Sequence, residues 1–224
     1  MVPHNTTIIN IPETVTEIGR GAFAGCASLT AVTIPETVTS IGNYAFDGCR
    51  SLEYVDIPKG VRAIGKCAFY NCAALTAVTI PETVEKIGDY AFEGCISLKF
   101  INIPKGITSI CYRAFCDCGA LTAVTIPETV TEICSCAFDG CKSLTAVTIP
   151  ETVTSIGNYA FDGCRSLEYV DIPKGIRVIG ECAFYNCKSL KAIDIQEGVI
   201  INDGAFDGCT SLNRIGNFRF DSDS

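Results

Sequence analysis

A unit of 23 residues is repeated nine times along this chain of 224 residues. Its most regular marker is a phenylalanine, followed after three residues by a cysteine and after three more by a leucine, as in Phe46, Cys49 and Leu52. The spacing is constant except for one residue missing before Phe206. A fixed period in the twenties is typical of solenoids, in which each unit buries its apolar side against its neighbours. The sequence therefore predicts one domain, 1–224, with repeats over about 6–215, an N-terminal cap at 1–10 and a C-terminal cap and tail at 213–224.

Each unit contains two segments with the alternating pattern of short strands. Residues 29–34 read L-x-x-V-x-I and are followed by Pro35, which cannot donate a hydrogen bond to a β-ladder. Residues 38–41 alternate again and predict a second short strand. Residues 45–49 predict a compact helical or 3₁₀ turn. Eight positions per unit, occupied by Leu, Val, Ile, Val, Ile, Ala, Phe and Cys, are expected to face the core.

The repeat resembles the leucine-rich repeat of BspA-like proteins. The resemblance rests on the L-x-x-V-x-I-P strand and on the I-G-x-x-A-F-x-G-C segment, for instance at residues 156–164. It implies a right-handed, mainly β solenoid with a parallel sheet on its concave side. It also implies a protein-binding scaffold, adhesin-like toward host or matrix proteins, at the cell surface or secreted. The first residues of this chain, however, do not have the pattern of a signal peptide.

Composition disfavours several other functions. The net charge is −8 and the 17 basic residues are scattered singly, whereas nucleic acids and anionic membranes reward clustered cations. No apolar run approaches the ~18 residues of a membrane-spanning helix, so no membrane insertion is expected. The single histidine, His4, leaves no Ser/His or Cys/His pair, and no glycine-rich phosphate loop is present. We therefore predict neither an enzyme nor a cofactor.

The fifteen cysteines divide into two groups. Nine follow the repeat and are expected to pack in the core as small apolar side chains. The C-x-C pairs at 116–118 and 134–136 superficially resemble zinc ligands, but zinc requires four ligands that converge tetrahedrally, and the single histidine leaves no imidazoles to complete a site. No metal site is predicted. Cys111 and Cys134 occupy equivalent positions in adjacent units, so a disulfide between them stays open at this stage.

The candidate binding residues are those that differ between units on the exposed side of the first strand. Most units carry alanine at the position before the central valine, but three carry an aromatic ring, and the nearby polar positions also depart from threonine. Aromatic residues are enriched in protein interfaces. We therefore predict a protein-binding concave face, with a ligand of unknown identity; the alternative is that the rings only pack on neighbouring strands. The predicted contact residues are Glu53, Tyr54, Asp56, Phe100, Asn102, Glu168, Tyr169 and Asp171.

Two long blocks of the chain are nearly identical. Residues 30–72 and 145–187 lie five periods apart and differ at three positions. This duplication predicts that the same surface is presented twice, which suits a multivalent binder. Alternatively, the array is a structural or engineered repeat with no dedicated ligand. The solenoid ends are also candidate self-association surfaces, with Phe218 and Phe220 predicted to cover the C-terminal end.

Overall fold

The protein is described by a computed structural model that covers residues 5–216 and the backbone of 218–219. The chain forms about nine stacked turns joined by parallel strands, which confirms the predicted solenoid. The side chains of Phe218 and Phe220, predicted to cover one end, lie outside the described residues.

The first strands of successive turns form one long sheet of eleven strands, parallel except for the last pair. In spatial order they are β1 (Ile8–Asn10), β3 (Ala31–Thr33), β5 (Tyr54–Asp56), β7 (Ala77–Thr79), β9 (Phe100–Asn102), β11 (Ala123–Thr125), β13 (Ala146–Thr148), β15 (Tyr169–Asp171), β17 (Ala192–Ile193), β19 (Arg214–Ile215) and β20 (Phe218–Arg219).

The predicted second strand of each turn is also present, two residues long. These strands form two short parallel sheets. One contains β2 (Glu17–Ile18), β4 (Ser40–Ile41), β6 (Ala63–Ile64) and β8 (Lys86–Ile87); the other contains β10 (Ser109–Ile110), β12 (Glu132–Ile133), β14 (Ser155–Ile156), β16 (Val178–Ile179) and β18 (Ile200–Ile201).

The core lies between the sheets and the turn segments, and the eight predicted apolar columns fill it. In the turn that begins at Leu52, all eight of these side chains are buried. The phenylalanines form a continuous stack with ring centroids 5.0 to 5.7 Å apart. The thiol of each ladder cysteine from Cys49 onward donates to the carbonyl of the phenylalanine of the preceding turn, as Cys49 does to Phe23 at 3.2 Å. The cysteine side chains therefore fill apolar space in the core and also form hydrogen bonds between adjacent turns.

The predicted helical or 3₁₀ turn is the part of the fold that differs, because the described residues contain no helix. In the second unit Tyr44 and Gly48 both have positive φ, of 60° and 70°, and equivalent pairs recur in the other turns. Two left-handed residues four positions apart interrupt any right-handed helix. The backbone instead alternates: Phe46 N–H donates to Ala68 in the next turn, whereas Cys49 N–H donates to Phe46 in its own turn.

The boundary between the two short sheets coincides with Cys111. Gly88, one turn earlier, donates its N–H to Ile64 at 2.9 Å, but no equivalent bond from Cys111 to Ile87 exists among the described residues. A β-carbon at Gly88 would lie 2.6 Å from the backbone nitrogen of Lys66, but this column accommodates a side chain elsewhere, because Cys134 donates its N–H to Ile110 at 2.9 Å. The rings of Phe92 and Phe115, which flank the boundary, are 5.7 Å apart, the widest spacing in the described stack. The interruption therefore lies beside Cys111, and a side chain in this column does not by itself account for it.

All fifteen cysteines are free thiols in the structure, including Cys111 and Cys134. The Sγ atom of Cys134 lies 3.3 Å from the hydroxyl of Ser109. Burial raises the pKa of the ladder thiols from Cys26 to Cys164, to about 12 for Cys49, so these groups stay protonated at neutral pH. No helix in the described part of the chain is long and apolar enough to cross a membrane.

Candidate protein-binding face

The outward-pointing residues of the long sheet form the surface that we call the long-sheet face. Tyr54, Phe100 and Tyr169 project from it with exposed fractions of 49%, 63% and 57%. The parallel register places Tyr54 between Ala31 and Ala77, and alanines likewise flank the other two rings. Methyl groups cover little of an aromatic ring. The three rings are therefore separate apolar projections, each flanked by alanines on both sides.

Two acidic residues, Glu53 and Asp56, lie beside the ring of Tyr54, and we call these three residues the first patch. All three residues are exposed. The hydroxyl of Tyr54 lies 3.1 Å from the hydroxyl of Thr79 in the next turn, and this hydrogen bond restricts the orientation of the ring. Within the described part of the chain, no ion pair involves Glu53. The first patch thus presents two carboxylates beside a fixed aromatic face.

The second patch consists of Glu168, Tyr169 and Asp171, and here a lysine from the next turn takes part. The Nζ atom of Lys191 lies 2.6 Å from Oε2 of Glu168 and 5.3 Å from the ring centroid of Tyr169. This is the geometry of an ion pair combined with a cation–π contact. The hydrogen bond to Glu168 raises the pKa of Lys191, which therefore remains charged across the physiological range.

Phe100 and Asn102 lie on β9, between the two patches. The Asn102 side-chain amide donates to Oε1 of Glu82 at 3.3 Å, and the backbone N–H of Lys105 donates to Oε2 at 2.9 Å. The bond from Lys105 and that from Asn102 lower the pKa of Glu82. Phe100 itself is the most exposed of the three rings. The predicted site residues thus lie on one face, as separate groups along the array and not as one pocket.

Sequence reasoning missed two cations on this face that the structure shows in contact with acidic residues. Lys191 contacts the second patch, and Arg214 lies 2.7 Å from the carboxylate of Asp194. The signal was available in the repeat alignment, because Lys191 occupies the same column as Glu168, one turn later. In a parallel in-register sheet, residues of one column are neighbours.

A second cluster of ionisable groups lies away from this face, in the turn segments. The Nε atom of Arg113 is 3.3 Å from Oε2 of the buried Glu93, and its NH2 group donates to the thiol of Cys116 at 3.2 Å. Burial, reinforced by Asp162, raises the pKa of Asp139 to about 6. Among the described residues, no group of His, Cys, Asp or Glu side chains is arranged to hold a metal ion.

Comparison with known proteins agrees with this architecture. The sequence profile of the BspA type leucine-rich repeat region, in six copies, matches residues 3–122 and 108–220. No curated protein matches the sequence. A leucine-rich repeat protein from Bacteroides ovatus ATCC 8483 has a similar solved structure, with 32% identity and a TM-score of 0.86. That match covers 93% of this chain but 54% of the other, so the chain spans about half the length of that protein.

Two further solved structures show lower similarity. A leucine-rich cell surface protein from Faecalibacterium prausnitzii A2-165 is 29% identical with a TM-score of 0.54, over 94% of this chain and 78% of that one. A leucine-rich repeat protein from T. pallidum is 29% identical with a TM-score of 0.57, over 83% and 78%. These similarities concern the repeat scaffold.

Proposed function

Because this chain belongs to the BspA type leucine-rich repeat family, we propose that it is a scaffold that binds a protein partner through the long-sheet face. The observation that carries the proposal is the exposure of Tyr54, Phe100 and Tyr169, between 49% and 63%, where both adjacent strands carry alanine at the same position. Large exposed rings that do not stabilise the monomer favour association, since a rigid aromatic surface is desolvated at small entropic cost.

The role we propose is adhesin-like, with a host or matrix protein as the partner and the cell surface or the exterior as the location. Support comes from the F. prausnitzii relative, which is described as a cell surface protein. The acidic residues beside the rings favour a protein partner with basic groups over nucleic acid, whose phosphates they would repel.

The test is a binding screen against immobilised extracellular-matrix and plasma proteins, with the wild type compared with a Tyr54→Ala/Phe100→Ala/Tyr169→Ala variant. Loss of three central interface rings should weaken saturable binding at least about tenfold. The melting temperature should hardly change, because the three side chains are exposed. The matched control is Tyr112→Ala/Tyr185→Ala, which removes two tyrosines of the turn segments, each 37% exposed.

Equal binding by wild type and triple variant would refute the proposal, as would an equal loss in the control variant. A large fall in melting temperature of the triple variant would instead support the view that the rings serve packing. The remaining candidate is a structural or engineered array without a dedicated ligand, which the near-identity of blocks 30–72 and 145–187 favours. It predicts no saturable binding by any of the three proteins.

A further inference from the structure

The two patches have the same residues but different neighbours. Glu53, Tyr54 and Asp56 correspond to Glu168, Tyr169 and Asp171, within blocks that differ only at Val61/Ile176, Ala63/Val178 and Lys66/Glu181. The correspondence ends with the following strand, where Thr76 and Thr79 stand in place of Lys191 and Asp194. The chain therefore presents one recognition surface twice, in two different contexts.

In the second patch, a lysine from the next turn contacts both the acidic and the aromatic side chain. The ammonium group of Lys191 contacts the Glu168 carboxylate at 2.6 Å and lies over the Tyr169 ring at 5.3 Å from its centroid. Half of the lysine side chain remains exposed, so the contact forms at the protein surface and not through enclosure in the core. An ion pair and a cation–π contact act on the same ammonium group, which is how aromatic sites commonly recognise cations.

In the first patch, no residue in the described part of the chain supplies such an ammonium group. Thr76 is too short to reach the ring, and its hydroxyl donates to the backbone carbonyl of Glu53 at 3.0 Å. The Tyr54 hydroxyl is held by Thr79 at 3.1 Å, so the ring is already oriented. The carboxylate and the ring that hold Lys191 in the second patch are thus both present in the first patch, and both are exposed.

We propose that Glu53, Tyr54 and Asp56 bind a lysine side chain presented by the protein partner, in the manner in which Glu168 and Tyr169 hold Lys191. This inference rests on the proposed function, because it assigns a chemical class to part of that interface. It also makes the patches unequal: the first takes a lysine from outside, whereas the second is occupied by a lysine of the chain itself. Each contact is exposed and individually weak, so the first patch contributes selectivity within a larger interface.

The experiment titrates a blocked tripeptide, acetyl-Gly-Lys-Gly-amide, into the wild-type protein and follows the tyrosine ring resonances by NMR. Its counterpart with an Nε-acetylated lysine has no charge and serves as the ligand control. We expect saturable shifts of Tyr54 with the charged peptide, and binding weaker by a factor of about 5 or more with the acetylated one. The Tyr169 resonances should change much less.

Two substitutions exchange the contexts. Thr76→Lys supplies an internal ammonium and should abolish the response of Tyr54, whereas Lys191→Thr should give Tyr169 a response like that of wild-type Tyr54. Threonine and lysine both occur in this column of the repeat. The backbone N–H groups of residues 76 and 191 already donate to the preceding turn, so the fold should tolerate either side chain at these positions. Glu53→Gln, which keeps the shape and removes the charge, should weaken peptide binding by a similar factor.

The inference is wrong if Tyr54 does not respond to the charged peptide, if both peptides act alike, or if Thr76→Lys leaves the response unchanged. These outcomes are separable from the fate of the proposed function. Partner binding that the triple aromatic variant loses but Thr76→Lys retains would refute the lysine site alone. A Tyr54 response to the peptide, without any protein partner in the screen, would refute the proposed function alone.

Discussion

Replacing Phe115 by alanine would remove the central ring of the phenylalanine stack. The ring is 1% exposed and lies between Phe92 and Phe138, with centroid distances of 5.7 and 5.4 Å. Truncating a buried phenylalanine typically costs ~3–5 kcal/mol, through lost transfer free energy and the cavity left behind. Two parallel ring contacts are lost together, and backbone hydrogen bonds between turns hinder collapse of the cavity. We therefore expect the upper half of that range, about 4–5 kcal/mol.

Phe23→Ala is the matched control at the N-terminal end. Phe23 is 9% exposed and stacks on one ring only, that of Phe46, at 5.0 Å. Because a solenoid is stabilised by contacts between neighbouring turns, an end position should lose about half as much, roughly 2 kcal/mol. Urea unfolding monitored by far-UV circular dichroism would provide both free energies of unfolding.

The comparison also tests cooperativity. A cavity at Phe115 weakens the contacts on both sides of a central turn, so its urea transition should broaden or separate into two steps, whereas that of Phe23→Ala should stay single. Equal destabilisation by the two substitutions would refute the reasoning. So would a loss below about 2 kcal/mol at Phe115, since it would mean that the stack rearranges to fill the space.

Two further predictions concern single positions in the turn segments. The pKa of Asp139 is raised to about 6, chiefly by burial and then by Asp162, whereas an unfolded aspartate titrates near ~3.9. Folding therefore favours the protonated form, and the free energy of unfolding should fall as pH rises from about 4 through 6. Asp139→Asn should flatten this part of the pH profile and raise the free energy of unfolding by about 1 kcal/mol at pH 7, measured by urea unfolding. A profile unchanged by the substitution would contradict this prediction. Gly157→Ala should cost ~1–3 kcal/mol, because the new β-carbon would lie 2.5 Å from the backbone nitrogen of Ser135, whereas Gly19→Ala, with nothing within 4 Å, should leave the melting temperature nearly unchanged.

The core of this fold could be predicted from sequence because the repeat samples each position nine times. The phenylalanine column has one interpretation, and the structure buries its members from Phe23 to Phe184 and half-buries Phe206. The two strands per turn followed from the same averaging. Averaging also hid a feature of a single turn: the pairing of the short strands stops between β8 and β10, beside Cys111, whereas Cys134 in the same column keeps its bond to Ile110.

In the turn segment and on the long-sheet face, two other features of the structure could not be predicted from the sequence. The compact I-G-x-x-A-F-x-G-C segment has the composition of a helical turn, but Tyr44 adopts a left-handed conformation that non-glycine residues rarely adopt, because bonds to the next turn hold it there. On the long-sheet face, the eight predicted residues were found from their departure from the repeat. The contact between Lys191 and Glu168 was not, since it depends on the side-chain conformations that bring two residues of one column together.

The interrupted short sheet has a mechanical consequence. On the long-sheet side, β9 and β11 stay paired, so the array is continuous there, whereas on the opposite side no strand pairing joins β8 to β10 in the described chain. We expect bending to concentrate at this boundary, with the paired strands β9 and β11 of the long sheet as the hinge. The first patch precedes these strands in the chain and the second patch follows them. A partner that contacts both patches would favour one angle between the halves, so that its binding and the curvature of the protein would be thermodynamically linked.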